Sequence, residues 1–185
     1  MINDQDELTN MHAQEPKPFI NSYWVIPGRF LAGSYPAMDD LHSIRKRFTT
    51  FLRSGINHFI DLTGEDELPP YYGILAGEAA ELGLSVVHQR FSIMDLGLPT
   101  KSMMTSLLDA IDTTLEGGHK VYLHCWGGVG RTGTVVGCHL VRHGLSGKEA
   151  LEKLAEIYAT SGQSRFHPRS PETREQMDFI LNWHE

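Results

Sequence analysis

Cysteine is scarce in this chain: Cys125 and Cys138 are the only two in 185 residues. Two cysteines cannot build the disulfide framework that small secreted domains depend on, so stability has to come from a packed core. No apolar run reaches the ~18 residues of a membrane span. The opening residues, MINDQDELTN, hold neither the basic nor the apolar region of a secretory leader. These absences lead to the expectation of a cytoplasmic protein without a membrane span, in a compartment that keeps thiols reduced. Positive charge is short as well. Sixteen Lys and Arg stand against 23 Asp and Glu, a net charge of −7, which argues against nucleic acid as a partner, because phosphate backbones are bound mainly through cations.

What is present is enough for one domain of about 150 residues with an extension, which buries roughly 70% of the surface its unfolded chain exposes. Residues 1–18 are polar and acidic with two late prolines and are expected to form a mobile tail, leaving 19–185 as a single domain. Residues 23–32, YWVIPGRFLA, read as two short strands joined by a Pro-Gly turn. Leu41, Ile44, Phe48, Phe51 and Leu52 recur with a helical period before a stop at Gly55. Residues 56–62 and 84–91 read as strands, with a helix over 71–83 between them. Further helices are expected over 101–116, from Arg131 to His143 and over 146–159. A last helix is expected to open at Ser170-Pro171, with serine as its cap and proline in its first turn. Strands alternating with helices imply an α/β fold of three layers, a largely parallel central sheet flanked by helices, with an N-terminal hairpin.

The most informative stretch is residues 120–133, KVYLHCWGGVGRTG. A short buried strand runs into Cys125 and then into a turn in which Gly127, Gly128 and Gly130 are able to take positive φ and turn their N–H groups inward. A helix opens at Arg131, so its partial positive charge adds to those N–H groups and makes an anion nest. Such surroundings draw a cysteine toward the thiolate, the attacking species. Arg131 returns to the same place with a planar fork of donors that suits two oxygens of one phosphate. Thr132 carries a hydroxyl able to donate to the Cys125 sulfur when it leaves, and His124 is read as orienting the loop rather than acting as a base. A nucleotide-binding loop is excluded, because no lysine stands where that loop requires one.

HCWGGVGRTG resembles the HCxxGxxRS/T signature of cysteine-dependent protein tyrosine and dual-specificity phosphatases, and its Cys-aromatic-Gly-Gly form resembles the small branch around the cyclin-dependent kinase inhibitor 3 type. The wording W-x-x-PG-R-x-x-AGSYP of the hairpin is similar to that of the same family, and the likeness extends over about residues 23–183. The resemblance implies a phosphatase-like fold and a phosphocysteine intermediate with no metal or other cofactor. The loop Trp126, Gly127, Gly128, Val129, Gly130 and Arg131 is then the phosphate-binding segment. Asp95 sits past the C-terminal end of its strand as Cys125 does, 30 residues earlier, and the resemblance makes it the general acid. Asp61, also at a strand end, is the second candidate, with a structural role binding loop N–H groups as the plainer reading. Larger members of the family place a water-positioning glutamine in the last site loop. Here that position falls on Glu172, while Gln176 either takes part or simply caps the helix.

Trp126 is read either as stacking on a phenol ring or as packing below the loop. The loop interior carries no lysine, which favours a phosphoprotein or phosphopeptide substrate bearing phosphotyrosine, with phosphoserine or phosphothreonine also open. A phosphoinositide or inositol phosphate is the alternative, and a module that binds phosphotyrosine without turning it over is a further one. Cys138 is expected in the core. His139 and His143 stand at i, i+4, the spacing of a metal pair on a helix, but no third ligand accompanies them as in HExxH, and no metal is expected.

Overall fold

The computed structural model describes residues 16–185. Most of the expected tail, residues 1–15, lies outside the described residues. Within its last part, Lys17 donates from Nζ to the carbonyl oxygens of Ser22, at 3.1 Å, and Thr160.

A five-stranded sheet forms the middle layer. β1 (Ser22–Ile26) and β2 (Phe30–Gly33) make the expected hairpin, turned at Gly28 with φ +68°. β3 (Ile56–Asp61), β4 (Val87–Arg90) and β5 (Lys120–His124) complete the sheet in the order β1-β2-β5-β3-β4. β2, β5, β3 and β4 run parallel, and only the β1–β2 pair is antiparallel. The order places β5 at the centre, covered on both faces, so the segment leading to Cys125 is held on all sides.

Side-chain alternation on the strands sorts the core into two halves. Val121 and Leu123 of β5 face one cluster and Tyr122 the other, while Phe30 and Ala32 of β2 oppose Leu31 in the same way. One face is covered by α1 (Leu41–Arg53) and α2 (Tyr72–Glu81), whose Phe48, Phe51 and Leu75 pack on Phe59 and Tyr122. The other is covered by α3 (Lys101–Glu116), α4 (Gly130–Arg142), α5 (Gly147–Tyr158) and α6 (Arg174–Leu181). Phe51 is fully buried, edge-on to Phe59 with centroids 5.6 Å apart. Truncating it to alanine removes about 3–5 kcal/mol. Three layers with a mostly parallel sheet agree with the fold class read from the sequence. Among the described residues no helix is long and apolar enough to cross a membrane.

Most helix ends fall where the cap chemistry directs them. Asp40 accepts from the N–H groups of His42 and Ser43, and Ser146 with Glu149 forms a capping box. The last helix is also capped, but not at the start expected for it. It does not open at Ser170-Pro171 but at Arg174, capped by Thr173, because Gln176 at the third helical position completes a capping box with Thr173. Ser170 is unavailable as a cap: its hydroxyl donates 2.8 Å to the Val129 carbonyl oxygen. The strand expected over 84–91 is also shorter, since Val87 and Gln89 at the edge are exposed and only Val87–Arg90 pairs with β3.

Candidate active site

β5 ends at His124, and Cys125 lies at the base of a cleft of about 690 Å³ lined also by Trp126, Arg131, Asp95, Tyr35 and Glu172. The turn from β5 into α4 is tight. Gly128 has φ +73°, and a Cβ there would stand 2.4 Å from the Gly33 carbonyl carbon, so only glycine fits. Gly133 is similarly closed in, with Ser170 Oγ 2.1 Å from the position of a Cβ. Among the described residues, none accepts a hydrogen bond from the backbone N–H groups of residues 126–130. Those unpartnered donors stand at the N-terminus of α4, where an anion nest is expected, and of the three loop glycines only Gly128 takes a positive φ. Val129 is buried in the core, whereas Trp126 is 49% exposed and borders the cleft.

Arg131 is 2% exposed, and its fork is already engaged. Nη1 and Nη2 donate to Glu67 Oε2 and Oε1 at 2.8 and 2.6 Å, and Nη1 also reaches the Ile93 carbonyl oxygen at 3.0 Å. Asp95 Oδ1 lies 2.9 Å from Nη2. Nε is buried without a hydrogen-bond partner. The fork is therefore not free to take two phosphate oxygens through both terminal nitrogens. Nε and the side of Nη2 now shared with Asp95 are the donors that Glu67 and Ile93 leave uncommitted. Thr132 Oγ1 is another buried group without a partner.

His124 is fully buried, with Nδ1 donating to the Cys125 carbonyl oxygen at 3.1 Å and Nε2 accepting from Tyr71 Oη at 2.7 Å. Burial pushes its pKa down to about 4, so the ring is neutral and carries one N–H, the one spent on Cys125. Asp61 lies behind it. Burial would raise the Asp61 pKa, but contacts with His88, His124 and Thr63 outweigh that and hold the carboxyl well below the usual carboxylate range. Its oxygens accept from Thr63 N–H at 2.9 Å, Thr63 Oγ1 at 2.6 Å and Arg90 Nη2 at 2.8 Å. A carboxyl so held has no proton to give near neutral pH, and Asp61 takes the structural reading of the two weighed for it.

Residues 20–180 match the family described as Swiss Army Knife protein, DSP-PTPase phosphatase domain. The chain belongs to this family. The DSP-PTPase domain is also similar to the putative tyrosine phosphatase 067L of Invertebrate iridescent virus 3, at 26% identity over 168 residues, covering 85% of this chain and 59% of the viral one. The chain thus spans about three fifths of the length of that curated relative. Among solved structures, Tk-PTP in its active form superposes with a TM-score of 0.63 at 26% identity, covering 87% of this chain and 93% of that one. PTPMT1, solved in complex with PI(5)P, shares the fold with a TM-score of 0.59 at 20% identity over 86% of this chain and 92% of that one.

Two residues of this phosphatase site were not singled out from sequence. Glu67 sits in an acid-rich loop after β3, and the available signal was its place beyond the C-terminal end of a strand next to β5. Tyr71, the partner of His124, carries no local signal at all. Gln176 is fully buried: its Oε1 accepts from the N–H groups of Glu172 and Thr173 at 3.1 Å, and Nε2 donates to the Gly97 carbonyl oxygen at 3.3 Å. It ties the last site loop to the loop that carries Asp95, while Glu172 borders the cleft.

Proposed function

We propose that this domain hydrolyses phosphotyrosine in proteins through a phosphocysteine intermediate. The observation that carries the reading is Arg131 Nη2 held 2.9 Å from Asp95 beside an unpartnered Nε. A phosphate entering the nest takes Nε–H and competes with the Asp95 carboxylate for Nη2. Asp95 is then released from Arg131, takes up a proton from solvent and turns toward the ester oxygen. Cys125 Sγ attacks phosphorus, the bond from phosphorus to the tyrosyl oxygen breaks, and that oxygen takes the proton of Asp95. In the second half Asp95 accepts a proton from water as the water oxygen attacks phosphorus. The S–P bond breaks, and in this reading the unpartnered Thr132 hydroxyl donates to the departing sulfur. The nest N–H groups stabilise the equatorial oxygens in both halves. His124, neutral and bonded to the Cys125 carbonyl oxygen, fixes the loop without exchanging protons.

The cleft lining supports this substrate class. Arg131 and Arg47 are its only Lys or Arg residues among the described residues, against Asp39, Asp95 and Glu172. Arg47 is in turn paired with Asp39. A ligand with several phosphates meets too few cations there, while Trp126, Tyr35, Phe19 and Met38 offer apolar surface to a phenol ring. Phosphate release from a phosphotyrosine peptide, in EDTA, is expected to exceed release from phosphatidylinositol phosphates in kcat/KM. The reverse order would overturn the substrate assignment, and binding of the peptide without turnover would overturn the catalytic one.

A further inference from the structure

At the end of α4 far from Cys125, the fold supplies what the sequence spacing of His139 and His143 lacked. We infer that Asp112, His139 and His143 form a binding site for a divalent metal of the zinc class, joining α3 to the C-terminal end of α4. His139 and His143, one turn apart, face the same side, with ring centroids 4.3 Å apart. Asp112 Oδ1 comes from α3 to within 3.6 Å of His139 Nδ1 and 3.0 Å of His143 Nε2, and the three ligand atoms all lie within 4.8 Å of one another. A tetrahedral ion with bonds of about 2.0–2.1 Å sets its ligand atoms about 3.3 Å apart, between those two distances.

A plain Asp–His hydrogen bond accounts for His143 but not for His139. His139 is 2% exposed, and its Nδ1 has no hydrogen-bond partner. Buried polar atoms are normally paired, and this one lies 3.6 Å from Asp112 Oδ1 and within 4.8 Å of the His143 ligand nitrogen. A metal at their centre gives both nitrogens a bond. Phe30 stands edge-on to the His139 ring, with centroids 5.2 Å apart and planes at 86°, which fixes the ring's direction.

The surrounding charge suits a cation. Arg142 is the nearest positive group, and it is shared among Asp112 Oδ2 at 3.1 Å, Asp109 at 2.9 Å and Glu185 at 2.6 Å. Three carboxylates against one guanidinium leave the site net negative, and the C-terminal end of α4 adds the negative pole of its dipole. The His143 side chain is 53% exposed, so an ion has a way in and water has access to a fourth position. His139 lies eight residues beyond Arg131, about 12 Å along the helix, so the ion takes no part in phosphoryl transfer. It clamps the helix that carries Arg131.

The test uses the untagged full chain carrying Cys125→Ser, because the active-site thiol would itself bind zinc. After EDTA treatment and its removal, Co²⁺ titration is expected to give one equivalent bound, with the intense visible bands of a four-coordinate ion and no thiolate charge-transfer band. Zn²⁺ at a hundred times its Kd should raise Tm by about 5–10 °C. His143→Ala and Asp112→Asn should each weaken binding more than about tenfold. Absence of binding, a thiolate band pointing to Cys138, or affinity unchanged in both variants would each overturn the site.

Discussion

Glu67 meets the Arg131 guanidinium edge to edge, with carboxylate oxygens 2.6 and 2.8 Å from Nη2 and Nη1. Glu67 is itself anchored, since its Oε2 accepts from the Gly64 N–H at 2.9 Å. The guanidinium holds the Glu67 pKa below the usual carboxylate range, so the pair stays ionised wherever the protein is folded near neutral pH. Two parallel charge-assisted bonds fix the plane of the fork, and that plane decides where Nε points. Glu67 thus positions the arginine without itself facing phosphorus.

Replacing Glu67 with glutamine leaves one acceptor and two new donors facing the fork. Arg131 then loses its fixed plane, and kcat/KM on a phosphotyrosine peptide is expected to fall about 10–100-fold, since a displacement of about 1 Å at a reacting group costs on that scale. Steady-state kinetics, with inorganic phosphate inhibition as a measure of arginine orientation, provide the check. Wild-type values for both would remove Glu67 from the positioning role.

Asp95→Asn is expected to cost about 10²–10⁴ in rate on phenyl phosphate, roughly 3–5 kcal/mol of barrier. An aryl phosphate with an activated leaving group should lose less, because its oxygen departs without needing a proton. The amide also weakens the contact with Arg131 Nη2 seen at 2.9 Å, so inhibition by inorganic phosphate should become tighter. Equal losses on both esters, with phosphate inhibition unchanged, would leave Asp95 as a loop-holding residue only.

Gly128→Ala tests whether the nest needs its left-handed residue. The new Cβ would stand 2.4 Å from the Gly33 carbonyl carbon and 2.6 Å from Ser34 N, both backbone atoms that cannot turn aside. Together with the positive φ this should destabilise the fold by about 2–4 kcal/mol and move the nest N–H groups off the phosphate. Urea unfolding and phosphate release read the two effects separately. A variant within twofold of wild type in activity and unchanged in urea midpoint would contradict the geometry.

Stability should fall in acid through His124. Burial holds its folded pKa at about 4, against 6.5 in the unfolded chain, despite the opposing pull of Asp61 and the Cys125 carbonyl; His88 and Arg90 push the same way as burial. The unfolded chain binds the proton first, so the stabilisation is whole above about pH 6.5 and is lost as pH falls toward 4, by up to about 3 kcal/mol. Asp61, with a depressed folded pKa, adds its own loss only below about pH 3.8. His124→Asn keeps a donor for the Cys125 carbonyl and removes this titration. Urea denaturation between pH 7.5 and 4.5 should show a shallower slope in the variant, and parallel profiles would exclude the histidine as the source.

The sequence by itself determined the parts of this protein that are local. The layered α/β order, the helix over residues 101–116, the β5 to α4 turn and the family signature around Cys125 were legible because a few neighbouring residues carry them. Period-2 and period-3.6 patterns, glycines at a forced turn and capping residues act within a handful of positions. The start of α6 was misread for an equally local reason. Ser170-Pro171 has the composition of a helix start, but the serine hydroxyl was claimed by Val129, a residue 41 positions away. Only the tertiary structure decided which distant groups share space. It brought Glu67 and Asp95 onto Arg131, Tyr71 onto His124, and Asp112 between His139 and His143. The reason is that the parallel order β2-β5-β3-β4 gathers the loops after its strands at one end of the sheet, while packing of α3 against α4 brings together side chains about 30 residues apart in sequence. Those meetings depend on long-range burial, which leaves no periodic trace in the chain.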